Sequence, residues 1–193
     1  MANVEKKQYN GIILLTGYLQ RLFVSETIHR RLGETQKPEP LKLAKELLDE
    51  AYKILPVFEK THRLTNEQKE QLQKISTQTD DLMATYFKGE PYSLNQKIAI
   101  VGSSLYAEQH VNAGIVRLGQ LFNVEVNRDF HMRIKFYEER TKMIDYLVYT
   151  IEQKEQIDEK MINVIDSLFN DVMRNKEFIL NDLKQIPLML EFE

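Results

Sequence analysis

Gln120 to Ile186 reads QLFNVEVNRDFHMRIKFYEERTKMIDYLVYTIEQKEQIDEKMINVIDSLFNDVMRNKEFILNDLKQI, without a glycine or a proline. Those two residues punctuate secondary structure more strongly than any others, and over most of the run apolar residues recur at helical spacing. A single helix of this length would extend on the order of 100 Å, so the run must fold back on itself. The joins fall where apolar periodicity lapses, at Asn123–Asn127 and at Glu152–Gln156. Alternating Val124 and Val126 have no partner strand in reach and read as a loop.

Working outward, the same pattern gives six helical segments. The first runs from about Tyr9 to Leu32, with Arg30 and Arg31 complementing the dipole of its last turn and Gly33 as its cap. The second starts near Pro40 and carries Leu41, Ala44, Leu47, Leu48, Ala51, Leu55 and Phe58, with a kink or an early end expected at Pro56. Thr65 with Gln68, and Ser93 with Gln96, form capping boxes that open the third and fourth helices. The third has a thin apolar stripe and belongs on the outside. Asn127 or Arg128 opens the fifth, and Asp158 the sixth. In the sixth, Met161, Ile165, Leu168, Val172, Asn175, Ile179, Leu183 and Ile186 follow coiled-coil steps, and Pro187 is expected to end it.

The expected fold is therefore all-α: a single antiparallel bundle of about five to seven helices, without significant β-sheet, in one domain spanning residues 1–193. An apolar tail, residues 187–193, follows the last helix.

Composition narrows the chemistry. The 193 residues contain no cysteine, which removes disulfides, thiol catalysis and thiolate metal sites, and fits a reducing compartment. Hydrophobic residues make up 42% and charged ones 28%, as in a globular chain, and a formal charge of −3 lacks the basic excess of a DNA-binding domain. Neither a signal peptide nor a membrane span is evident, and a cytoplasmic location is expected.

Several clusters have both a functional and a plain reading. Glu26–His29 and Glu59–His62 repeat the Glu-x-x-His spacing of di-iron bundles, but both pairs close consecutive helices, which puts them at opposite ends of an antiparallel bundle. They read as surface residues, and no metal site or cofactor is expected. Ala99, Ser103, Ala107 and Gly114 share one face of the fourth helix, where small side chains admit a close neighbour or leave a pocket bordered by Tyr106 and His110. Arg128, His131, Lys135 and Lys142 form a basic stripe on the fifth helix, interrupted by Asp129, Glu138 and Glu139; a solvated face is expected rather than a nucleic-acid track. No nucleophile motif or phosphate loop occurs, and no catalytic residue is assigned.

The tail hexapeptide Gln185-Ile186-Pro187-Leu188-Met189-Leu190 resembles the Gln-Leu-x-Leu-x-Leu form of peptides that bind the bacterial sliding clamp, with Ile186 in place of the first leucine. The resemblance covers six residues and implies docking through Gln185 and the later apolar positions. Leu188, Leu190 and Phe192 are the apolar candidates.

The leading expectation is a non-enzymatic protein that binds another protein through helix faces or its tail, with a homodimer through the wide apolar stripe of the last helix. Asn175 would then set the register of that seam. A replication accessory docking on the clamp, a small-molecule or nucleotide sensor using the fourth helix, and a di-iron metalloenzyme are the alternatives.

Overall fold

The computed structural model describes residues 2–34 and 38–191. They form α1 (Ala2–Arg31), α2 (Pro38–Thr61), α3 (Asn66–Tyr86), α4 (Leu94–Phe122), α5 (Arg128–Glu152), α6 (Glu159–Arg174) and α7 (Lys176–Leu190). No strand occurs among the described residues. The protein is an all-α bundle.

The helix starts follow from local chemistry. At Thr65 and Ser93 the hydroxyl accepts from the amide three residues on, while Gln68 and Gln96 return to the cap amide, closing both capping boxes. Asn127 and Asp158 cap α5 and α6 through their side-chain oxygens. Gly33, at φ +76°, follows α1 in the left-handed conformation. Asn123 ends α4 in the same region, and the segment holding Val124 and Val126 is a loop.

Four expectations about the ends and breaks of helices are corrected. α1 begins at Ala2 rather than near Tyr9, and Gln8, buried in that extra length, donates to the Leu190 carbonyl. α2 does not end early at Pro56 but continues through it to Thr61. An interior proline costs ~3 kcal/mol. Here Pro56 itself is exposed, and buried Ile54 and Phe58 hold the turns on either side, with the Phe58 ring 6.1 Å from that of Tyr9. α7 likewise runs through Pro187 to Leu190, because Ile186 and Leu190 are both fully buried.

The fourth correction concerns the stretch read as one coiled-coil helix, which is two. Asn175, at φ −95° and ψ 4°, separates α6 from α7, and its side-chain amide donates to the Asp171 carbonyl at 2.8 Å. The two halves serve different neighbours: α6 packs on α4, whereas α7 packs on α1 and α3. The apolar excess of that stretch is thus partly spent inside the bundle, through Ile165 and Phe169 in α6 and Leu183, Ile186 and Leu190 in α7. Asn175 marks the junction rather than a position in a continuous seam.

The centre of the molecule is the antiparallel pair α1 and α4, the most extensive helix contact. Glycines on α4 permit it. A side chain at Gly114 would fall on Ile13, and one at Gly102 would fall between Ile28 and Ile144. α5 leans on α4 and barely touches α1. Only from Thr141 onward does α5 bury side chains; none of Arg128–Arg140 is fully buried. That overhang, with α6 and α7 on the other side, leaves a trough over α4.

Candidate functional site

The trough is a groove of about 580 Å³. Leu14, Tyr18 and Arg21 of α1, with Val101, Ser104, Leu105, Glu108 and Val111 of α4, line it from the central pair. Phe136 and Tyr137 form the α5 wall, and the facing wall includes Leu168, Val172, Phe178 and Ile179. Most of this surface is apolar carbon. Phe136 is 47% exposed and Phe178 is 69% exposed, so the mouth is also apolar.

Polar groups are few and specific. Arg21 is only 5% exposed, and its Nη1 donates to the Ser104 hydroxyl at 2.6 Å. Ser104 passes that bond on by donating to the Ile100 carbonyl at 2.7 Å. The guanidinium lies 5.8 Å from the centre of the Tyr86 ring, a cation–π contact. Its Nε has no hydrogen-bond partner among the described residues. The Tyr18 hydroxyl donates to the Ile179 carbonyl and so ties α1 to α7. Burial holds the Tyr18 phenol well above its ordinary range, with Asp182 adding to the effect and Arg21 opposing it. Burial also raises the Asp182 carboxyl. On the α5 wall the Arg140 guanidinium stacks 4.1 Å from the centre of the Phe136 ring.

Of the two readings of the small-residue face, a close neighbour or a pocket, its residues describe a packed face beside the groove. Ala99, Ser103, Ala107 and Gly114 are all buried, and of these only Ala107 borders the groove. Ser103 meets the Tyr86 hydroxyl at 2.5 Å. Tyr106 turns outward and donates to Asp145 at 2.8 Å; burial, then that carboxylate, pushes its phenol up to about 12. His110 faces α1 and α2, with Nε2 at 2.7 Å from the Thr16 hydroxyl and its ring 6.2 Å from that of Tyr52. Burial alone lowers His110 to about 4.

The other sequence candidates are dispersed. Arg128, His131, Lys135 and Lys142 are exposed on α5, and Lys142 pairs with Glu138 at 2.9 Å. Of the tail, Gln185 and Leu188 are exposed and Leu190 is buried, all within α7; Phe192 lies outside the described residues. Clamp docking by this hexapeptide therefore requires the last turns of α7 to unfold.

His29 is buried rather than on the surface, with Nδ1 2.8 Å from Glu34, while Glu59 meets Tyr9 and Arg117. Among the described residues no three His, Asp or Glu side chains gather to hold a metal ion. No helix of the described chain is long and apolar enough to cross a membrane.

Arg21 and the groove-facing residues of α4 were not legible as a site. In sequence Val101, Leu105 and Val111 look like any core positions, and one arginine in a helix carries no motif. The signal present was the weakly buried first half of α5, whose apolar residues Phe130, Met132, Ile134 and Phe136 have no full set of neighbours. No protein-family model matches this chain, and neither a curated protein nor a solved structure matches it.

Proposed function

We propose that this is a non-enzymatic binding protein whose site is the groove over α4, closed on its sides by α5 and by α6–α7. The observation that carries the reading is a half-open apolar cavity of about 580 Å³ with one buried cation in its lining. Ligand sites typically enclose ~300–1,000 Å³ of mainly apolar surface with a few placed polar groups. The lining supplies no histidine or cysteine, and its serine hydroxyl is occupied by Arg21 and Ile100. Recognition suits this set of residues better than bond making.

The test uses a neutral apolar reporter, N-phenyl-1-naphthylamine, whose fluorescence rises out of water. One reporter per chain is expected, competed away when Leu105→Trp fills the groove while helical circular dichroism is kept. Weak, non-saturating fluorescence, or stoichiometric binding that survives Leu105→Trp, would place the function elsewhere.

A second reading, a homodimer, is favoured by exposed Phe136 and Phe178 in the groove lining and by exposed Met132 one helical turn before Phe136. Apolar side chains clustered this way mark contact surfaces. Sedimentation at high micromolar concentration is expected to show a dimer for the native chain and a monomer for Phe178→Glu. A native monomer removes this reading and leaves the groove untouched.

A further inference from the structure

Resting on the groove reading, the structure also indicates what chemistry the occupant carries. Arg21 is a buried guanidinium, and such a group pairs with a carboxylate or phosphate in most settings because desolvation is otherwise uncompensated. Here it has the Ser104 hydroxyl and the Tyr86 ring only, and it enters no ion pair among the described residues. Its Nε lacks a partner. A planar donor fork is therefore held in the wall of an apolar cavity with capacity left over.

The same cavity holds carboxylates of a different standing. Asp171 is engaged by Arg174 at 3.3 Å. Glu108 projects to solvent. Asp182 is half-buried, and no hydrogen bond or ion pair engages its carboxylate among the described residues. Beside the α5 wall, Arg140 stacks on the Phe136 ring and its Nε also lacks a hydrogen-bond partner among the described residues, but Arg140 is not part of the groove lining, whereas Arg21 is.

Helix register places Arg21 and Asp182 apart. α1 and α7 run antiparallel, since Gln8 meets Leu190 while Tyr18 meets Ile179. Arg21 lies three residues beyond Tyr18 in one direction, and Asp182 lies three residues beyond Ile179 in the opposite one. Six residues of helical rise separate their backbones by about 9 Å along the groove. Leu14, Leu105, Val172 and Ile179 supply apolar lining to the same cavity.

We propose that the groove binds a zwitterion with an apolar body, a short hydrophobic peptide with free ends, its carboxylate on Arg21 and its ammonium on Asp182. Three extended residues span at most about 10 Å, so a peptide of two or three residues is of the length that fits between groups carried on backbones so spaced. Charge-assisted hydrogen bonds at both ends give orientation, and the apolar side chains fill the trough.

The probe is trileucine, with its N-acetylated, C-amidated and doubly blocked forms, measured by displacement of N-phenyl-1-naphthylamine and by calorimetry. Trileucine is expected to displace the reporter, and each single block is expected to weaken binding on the order of tenfold, the scale of one lost charge-assisted bond. Arg21→Met should erase the effect of amidation, and Asp182→Asn the effect of acetylation. Methionine also relieves an unpaired buried charge, so this variant is expected to fold. Should it not, the end-blocked peptides on the native chain decide the question alone. Equal binding of the doubly blocked peptide, or tighter binding of the acetylated one, overturns the proposal. A reporter that binds stoichiometrically but resists every peptide overturns it too, leaving the groove reading in place. Absence of stoichiometric reporter binding defeats both.

Discussion

Gly114→Val is expected to destabilise the protein by about 3 kcal/mol, toward the upper end of overpacking costs. The site lies where α1 and α4 come closest. A β-carbon there would sit 2.4 Å from Ile13 Cγ2 and 3.0 Å from Ile13 Cγ1, far inside van der Waals contact. Ile13 is itself buried and has little room to retreat. Valine's gain in helix propensity over glycine, about 0.4 kcal/mol, is too small to offset the clash. Urea denaturation followed by helical circular dichroism measures the loss as a lower midpoint at constant slope. Combining Gly114→Val with Ile13→Ala should recover part of the stability, because the two sites share one space and their effects cannot be additive. A stable, native-like single variant would mean that the small-residue face is hollow, as a pocket there requires.

Acidification should weaken the fold through His110. Its imidazole lies between α1, α2 and α4, with Nε2 on the Thr16 hydroxyl, and burial lowers its affinity for a proton from 6.5 to about 4. The unfolded chain therefore binds the proton more readily than the folded one. Stability from this residue is complete above pH 6.5 and falls as the pH drops towards 4, by about 3 kcal/mol in all. His110→Gln keeps a donor for Thr16 and removes the titration. The native chain is expected to lose about 3 kcal/mol more than His110→Gln between neutral pH and pH 4, measured by urea midpoints across that range. Parallel stability curves would show that the imidazole is protonated without cost, hence that water reaches it.

What was legible in the sequence was the information carried within four residues or one helical face. Thr65 with Gln68 and Ser93 with Gln96 announce their helix starts because donor and acceptor are neighbours in the chain. Asn127, Asp158 and Gly33 act on the same scale. The candidate site was not legible, because its walls come from five helices and its polar groups are ordinary in isolation. Arg21 and Asp182 stand 161 positions apart in the sequence.

By itself, then, the order of residues determined that the chain is helical, where most helices begin, and that small residues on α4 invite a close neighbour. Periodicity and capping are local free energies, and each helix carries its own. Only the tertiary structure decided that Pro56 and Pro187 stay inside helices, that Asn175 divides α6 from α7, and that the open space lies beside the small-residue face rather than on it. Those outcomes depend on which surfaces are already occupied: burial of Phe58 and Leu190 outweighs a lost backbone bond, and α5 meets α1 at their C-terminal ends, through Arg31 and Glu152, while its first half stands off the bundle.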